Sequence, residues 1–467
     1  MILWTSEGIQ EATGGRVTKD WTVSGVSIDT RTLLRGDLFV ALTAVRDGHD
    51  FVIDALEKGA GAVMVSRLPD GLNAEAPVIL VKDVQKALED LALASRARSK
   101  AKILAITGSV GKTSTKEMLR IVLEKQGRTH ASVASYNNHW GVPLTLARMP
   151  ENTEYGIFEI GMNHPGEITP LAHLVSPDVA LITTVSTAHL EAFDNIQAIA
   201  EEKATIMNGL KTNGTAVMNA DIQMAPVLRG IADKNGCSQV WFGRGAVDAQ
   251  LTVCEMGDDS IYAEIKLSGR CFSYELKTRG SHFAFNALGA IAALQALGAN
   301  VELAVRDISL WRPIKGRGSH TFVPITCGKI ELIDDAYNAN PESMAAALKV
   351  LAICKGERRI AILGDMKELG PSAEDMHADL ADLEVFNEID IIHLVGPLMR
   401  ALYLKLPEKR RGIHVNSASE MVKISSDILK SGDIVLVKAS LGTGLGEVVK
   451  SILQLRYSQG VSIKKET

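Results

Sequence analysis

Residues 102–117 read K-I-L-A-I-T-G-S-V-G-K-T-S-T-K-E, an apolar strand that breaks into a glycine-punctuated loop and resumes as a helix at Lys112, Thr113 and Ser114. A strand feeding such a loop and then a helix belongs to a parallel α/β sheet, and this restricts the fold more than any other stretch of the chain. Gly108 and Gly111 offer backbone angles closed to other residues, so N–H groups along Gly108, Ser109, Val110 and Gly111 can converge on one anion at the positive end of the helix. Lys112 then supplies a point charge for β- and γ-phosphates and Thr113 a hydroxyl for a magnesium ion, which predicts a nucleoside triphosphate site. The loop departs from the usual G-x-x-x-x-G-K-[ST] spacing: the position five before Gly111 is Ile106, and the first glycine comes two residues later. A chance glycine-rich turn is the plain alternative, and Lys112-Thr113 at the helix start argues against it.

A chain of 467 residues with 46% apolar content has room for about three domains with separate cores. A net charge of −5 leaves no footprint for nucleic acid, and the one short basic run, Lys409-Arg410-Arg411, reads as a solvated loop. Five cysteines, Cys237, Cys254, Cys271, Cys327 and Cys354, never form C-x-x-C, so idle thiols in a reducing compartment are expected rather than disulfides or zinc. The N-terminus carries acid where a signal peptide needs base, and no stretch approaches the ~18 apolar residues of a membrane span. A cytoplasmic protein without membrane insertion is the expectation.

Residues 1–82 show short strand-like runs (23–28, 38–42, 62–65, 78–81) and one helix over 50–58 stopped by Gly59, a small α/β domain. A helix over 87–98 leads into the loop strand, and strands at 156–160, 179–183 and 216–219 then alternate with helical stretches such as 196–210, implying a parallel sheet. Between 251 and 278 period-two strands follow one another, an antiparallel extension at a sheet edge, and a helix over 283–297 closes the unit. Arg312-Pro313-Ile314-Lys315-Gly316-Arg317-Gly318 has the composition of an exposed connection. Beyond it alternation restarts, with strands at 330–333, 360–363, 391–395 and 434–437 and a helix over 341–353 capped by Asn340 with Pro341 at its first position. The predicted domains are therefore 1–82, 83–312 and 313–467, all α/β, the last two doubly wound.

Tyr155 to Gly161 places Glu159 at the end of an apolar strand, where open parallel sheets present ligands, and Glu159 is a natural metal ligand there. His189 sits just past the end of another apolar strand. A lone histidine is more often a hydrogen-bonded loop residue; His189 gains weight as a ligand because both strand ends fall on the edge that carries the nucleotide loop.

The shortened T-G-S-V-G-K-T loop resembles that of the Mur ligases and the related folylpolyglutamate synthetases, and the resemblance to the Mur ligases spans nearly the whole chain. It is carried by D-T-R-T-L-L-R-G-D-L-F-V-A-L at 29–42, D-G-H-D-F at 47–51, N-N-H-W-G-V-P at 137–143, E-I-G-M-N-H-P-G-E-I at 159–168, A-H-L-E at 188–191, L-I-D-D-A-Y-N-A-N-P-E-S-M at 332–344 and L-G-D-M-K-E-L-G at 363–370. The last two resemble the branch of the family that adds D-alanyl-D-alanine, whereas sister branches show a D-Y-A-H-x-P type of string.

That resemblance implies three domains: a small α/β N-terminal domain that holds the UDP end of the substrate, a central parallel-sheet P-loop ATPase domain and a C-terminal Rossmann-like domain. It implies an ATP-dependent amide ligase that joins D-alanyl-D-alanine to UDP-N-acetylmuramoyl-tripeptide through an acyl phosphate, acting as a monomer. Thr30, Arg31, Asp47, Gly48, His49, Asn137 and Asn138 are the implied substrate contacts; a surface arginine in a turn is the alternative for Arg31. Mg2+ is implied as cofactor, held by Thr113, Glu159, His189 and a carbamylated Lys203, although I-A-E-E-K-A-T-I taken alone puts Lys203 on a solvated helix face. Asn286 is implied near the adenine, with Phe283 replacing the usual asparagine, and Arg317, Asp335 and Asn338 where the C-terminal domain meets ATP. Leu441 stands where the family shows arginine, within K-A-S-L at 438–441. A folylpolyglutamate-type ligase would not need the D-T-R and D-G-H-D-F domain, and a nucleotide-dependent switch or scaffold would have no use for two metal positions.

Overall fold

Lys102–Thr107 lies between Val179–Ile182 and Tyr155–Glu159 in the middle of a nine-stranded sheet, paired in parallel with both. Its sequence requires that place: every residue after Lys102 is buried, so both faces need cover, and the apolar run 103–106 has no side to give to water. The computed structural model describes residues 1–133, 135–246, 248–325 and 328–458. Across the sheet the strands run 270–276, 261–267, 249–256, 238–243, 215–219, 179–182, 102–107, 155–159 and 129–131, parallel except for the 249–276 edge. That edge is the expected antiparallel extension, and Ile261–Leu267 shows the alternation of a strand with one covered face. The helix Lys112–Leu123 packs on Ser281–Ala296 to cover one face, while Ile168–Val175, Ile196–Ala204 and Ala225–Asn235 cover the other.

Residues 16–80 form a five-stranded sheet and 319–438 a six-stranded one in the order 319–325, 328–335, 433–438, 358–364, 391–395, 411–415. The six-stranded sheet is parallel apart from Ser319–Ile325, an edge strand bearing Pro324, which suits an edge because proline offers no N–H. Arg312 to Gly318 contains no regular element, as its composition predicts. Pro341–Ile353 starts where expected, with Asn340 and Ser343 forming a reciprocal capping box.

Several readings change. Residues 1–82 carry a second helix, Ser6–Thr13, capped by Thr5 and closed by left-handed Gly14. The stretch expected as one helix over 50–58 is a 3-10 turn at Gly48–Phe51 followed by the helix Val52–Glu57. The stretch read as one helix over 196–210 is α only to Ala204 and continues as 3-10 over Thr205–Gly209, whose last residue has no room for a Cβ against the carbonyl of Ala172. The basic run is not a free loop, since the Arg410 guanidinium donates to the carbonyl of Ile389 and that of Arg411 to the carbonyl of Leu406. The four described cysteines are unpaired, and Cys327 lies outside the described residues. Among the described residues no helix is long and apolar enough to cross a membrane.

Candidate active site

Gly108 and Gly111 both sit in backbone regions that L side chains rarely adopt, with φ of 149° and 86°. A Cβ on Gly108 would overlap the Thr183 hydroxyl, and one on Gly111 would come within 2.7 Å of Asn286 Oδ1, so neither position tolerates a side chain. The loop is fastened to the segment after Val179–Ile182: Ser109 N–H donates to the carbonyl of Thr184 (2.9 Å), Thr183 Oγ1 to the carbonyl of Val110 (2.6 Å) and Ser186 N–H to Ser109 Oγ (3.0 Å). Backbone rigidity therefore exists before any anion arrives. Lys112 Nζ folds back onto the carbonyl of Gly108 at 2.6 Å, and among the described residues no carboxylate is bonded to it.

Beneath the loop, Thr113 Oγ1 donates to Glu159 Oε2 at 2.9 Å, and Asn137 Nδ2 donates to Glu159 Oε1 at 2.8 Å. Glu159 is fully buried at the end of Tyr155–Glu159, as the strand-end reading requires. Lys203 is also buried, 1% exposed, and the expectation of a solvated helix face drawn from its two acidic neighbours does not hold. Ile196, Ile199, Ala200, Lys203 and Ala204 form one helical stripe, so Lys203 points where the apolar residues point. Burial, reinforced by the nearby Lys112 ammonium, pulls its pKa well below the ordinary lysine value. Glu202 is occupied elsewhere, accepting the N–H groups of Gly166 (2.8 Å) and Ile168 (2.9 Å). Burial likewise lowers the pKa of Lys112, with Glu159 opposing and Arg317 adding to the shift.

The C-terminal sheet closes the other side. Arg317 donates to Ser135 Oγ (3.0 Å) across the seam and stacks its guanidinium 4.2 Å from the Tyr337 ring. Lys438 Nζ donates to Asp335 Oδ2 (2.7 Å) and to the carbonyl of Asn338 (2.9 Å). Together these elements enclose a cavity of about 460 Å3 lined by Ser109 to Lys112, Ser114, Asn137, Asn138, Glu159, His189, Asn286, Arg317, Asp335 and Asn338. Gly108, Thr113 and Lys203 are not in its lining. A more open hollow of about 970 Å3 beside Lys102 and Arg128 lies at the opposite end of the loop strand, away from the strand ends that present ligands.

The five N-terminal candidates lie outside the cavity lining. Arg31 is 85% exposed and paired with its own turn through Asp29 at 2.6 Å. Thr30 lies against Asp54. Asp47 receives Arg67 (2.6 Å) and the N–H of His49 (3.0 Å), which hold its carboxyl well below the usual carboxylate range. His49 is buried with both ring nitrogens engaged: Nε2 accepts the N–H of Ser66 (3.0 Å), so Nδ1 carries the proton facing Asp47 (2.7 Å). Gly48 has no room for a Cβ against the carbonyl of Leu42. Asn138 Oδ1 accepts the N–H of Gly141 (2.9 Å), the first residue of the helix Gly141–Ala147, and that helix joins the N-terminal core through Leu144 and Ala147. Phe283 fills the seam, 5.0 Å from Trp311 and 4.1 Å from His282 between ring centres.

Some site residues had no sequence signal. Arg279 donates to Glu331 Oε1 (2.6 Å), which also meets His320 Nδ1 (2.7 Å), joining central and C-terminal sheets beside the cavity. Glu368 belongs to G-D-M-K-E-L-G, yet only the structure places its Oε2 2.6 Å from His189 Nδ1. Leu441 is 63% exposed.

The donor chemistry is hard oxygen, from a hydroxyl and a carboxylate, which suits magnesium. Among the described residues no group of three or more His, Cys, Asp or Glu side chains is gathered to hold a metal, so protein ligands alone do not complete a coordination shell.

The sequence profile of the Mur ligase middle domain matches residues 106–294, that of the Mur ligase glutamate ligase domain 322–441, and that of the Mur ligase catalytic domain 22–96. The UDP-N-acetylmuramoyl-tripeptide--D-alanyl-D-alanine ligase of Rickettsia prowazekii is 33% identical over 450 residues, covering 96% of this chain and 99% of that one. The MurF crystal structure from Acinetobacter baumannii superposes with a TM-score of 0.83 at 29% identity, covering 97% and 99%. That of the Thermotoga maritima MurF ligase in complex with ADP gives 0.78 at 25%, covering 94% and 99%. With its nucleotide loop, its three matched domains and this similarity along nearly its whole length, the chain belongs to the Mur ligase family.

Proposed function

We infer that the protein is an ATP-dependent ligase that joins D-alanyl-D-alanine to UDP-N-acetylmuramoyl-tripeptide, a step of peptidoglycan precursor synthesis. The observation that carries this reading is the full-length similarity to ligases of that name together with a single cavity into which the nucleotide loop and the D-A-Y-N-A-N-P segment both project. The units 1–82, 83–312 and 313–467 divide the work between the UDP end of the substrate, the phosphates and the acceptor. Thr30, Arg31, Asp47 and Gly48 serve the UDP end, with His49 bracing their loop, and Asn137 and Asn138 meet the substrate nearer the phosphates. The enzyme acts as a monomer in the cytoplasm, where its nucleotide substrates are found.

The tripeptide's terminal carboxylate is a poor electrophile until one of its oxygens becomes a leaving group. In the first step that oxygen attacks the γ-phosphorus in line, a P–O bond forms, the bond to the β–γ bridging oxygen breaks and ADP leaves. The amides of Val110 and Gly111, the Lys112 ammonium and Arg317 stabilise charge on the γ-phosphoryl. Thr113, Glu159, His189 and Lys203 would hold magnesium, and Lys203 fits because burial favours the neutral amine that takes up carbon dioxide. Magnesium bound there supplies positive charge to the transferring phosphoryl. In the second step the dipeptide's free amine attacks the acyl carbon, loses a proton, and expels phosphate. Asn286 holds the base against Gly111, while Asp335, Asn338 and Arg317 bring the C-terminal domain onto the nucleotide and exclude the water that would destroy the acyl phosphate.

Phosphate release, measured with UDP-tripeptides ending in lysine or in diaminopimelate, should require ATP, the UDP-tripeptide and D-alanyl-D-alanine together. Equal release without the dipeptide would remove the ligase reading and favour a nucleotide switch.

A further inference from the structure

His189 and Glu368 face each other across the seam between the central and C-terminal sheets, and both are non-glycine residues with φ of 65°. Such backbone persists only where surrounding structure enforces it, and it tends to gather at functional sites. Here the enforcing contacts run between the two loops: Glu191 N–H donates to the carbonyl of Glu368 (3.2 Å), and Gly370, at φ 69°, stands so close to Glu191 that a Cβ would come within 3.2 Å of its Cα. The Glu368 carboxylate is thereby set 2.6 Å from His189 Nδ1. It lies off the line of a hydrogen bond, so the contact acts by charge and proximity.

We propose that Glu368 is a positioning residue: the C-terminal loop uses its carboxylate to hold the His189 ring with hydrogen on Nδ1, leaving Nε2 as a lone-pair donor for the divalent cation of the central site. A negative oxygen beside Nδ1 favours the tautomer that carries hydrogen there, and the other nitrogen is then the one able to ligate. Glu368 is half exposed and supports no core, while His189 lines the cavity, so the pair is placed to act on the site rather than on stability. Docking of the C-terminal loop and readiness of the metal site become one event. The inference rests on His189 being a metal ligand, as proposed above.

The test is Mn2+ affinity of the full-length protein saturated with ADP, read from the free Mn2+ resonance and corrected for Mn2+ bound by ADP alone. Glu368→Ala should weaken Mn2+ binding about 10- to 100-fold, with ADP affinity in chelator and melting temperature unchanged. Glu368→Gln, which keeps the size and removes the charge, should weaken Mn2+ binding about as much as Glu368→Ala, because the contact acts by charge. His189→Ala should lose at least as much as Glu368→Ala, and the double variant no more than His189→Ala, since both act through one ring. If His189→Ala weakens Mn2+ binding and Glu368→Ala does not, or if Glu368→Gln binds Mn2+ as wild type does, the positioning role is overturned and the metal site stands. If His189→Ala binds Mn2+ as wild type does, the metal reading of His189 fails and the inference with it.

Discussion

At the end of Lys102–Thr107 in the central sheet, Lys112 has, among the described residues, the carbonyl of Gly108 as its hydrogen-bond partner and no carboxylate. The corresponding end of the C-terminal sheet presents Lys438 at the close of Asp433–Lys438, already neutralised by Asp335 at 2.7 Å. Both sheets are parallel at their centres and both bury their central strands, Lys102 excepted, so topology alone would assign them equal roles. The difference lies in what is left unpaired. Among the described residues the central loop keeps its lysine and the amides after Ser109 free of any carboxylate and so can take an anion, whereas the C-terminal strand ends are tied among themselves and reach across the seam as a cover.

Substitutions that separate binding from stability probe this contrast. Lys112→Ala should have the largest effect, lowering turnover by about 10²- to 10³-fold with circular dichroism and melting near wild type; an unfolded variant would show that Lys112 is structural. Lys203→Met should follow. Turnover should drop about 100-fold, Lys203→Arg should be equally inactive, and a short carboxylate should partly restore Lys203→Ala. Because Lys203 has a lowered pKa in the fold, the unfolded chain binds its proton more readily at neutral pH, which opposes folding below the unfolded lysine pKa. In buffer free of carbon dioxide, Lys203→Met should therefore melt about 3 °C higher than wild type near pH 7, and the gap should narrow as pH rises toward the unfolded lysine pKa. A gap that widens with pH would contradict the burial argument.

Substitution within the C-terminal sheet should behave in the opposite way. Asp433 accepts both Arg358 Nε (2.8 Å) and Nη2 (2.6 Å) far from the cavity, so Asp433→Ala should cost about 2–3 kcal/mol in urea unfolding and leave the KM for ATP unchanged. The smallest effect is expected at Leu441, where exposure predicts that Leu441→Ala changes stability by less than about 0.5 kcal/mol; a larger loss would contradict its solvent-facing placement.

Much of this was legible locally. The loop, Glu159 at its strand end, Asn340 as a cap and the Arg312 to Gly318 connection each follow from a short pattern whose physics is complete within a few residues. Lys203 was misread by its charged neighbours, although the spacing of Ile196, Ile199 and Ala200 already placed it on the buried stripe. The helix Ser6–Thr13 carried its own signals in Thr5 and Gly14. His49 looked like a ligand contact, and only the fold brings Ser66 to its second nitrogen. Contacts such as Arg279 with Glu331 or His189 with Glu368 join residues far apart in the chain, and no periodicity or composition encodes them.

The central claim is that the cavity passes a phosphoryl group from ATP to the substrate carboxylate before the amide forms. It is tested by supplying UDP-tripeptide with 18O in its terminal carboxylate and analysing the released phosphate by mass. One 18O atom should appear in phosphate for each amide formed from fully labelled substrate, with D-alanyl-D-alanine required for release. Amide formation with unlabelled phosphate would contradict the acyl phosphate and the role assigned to the loop.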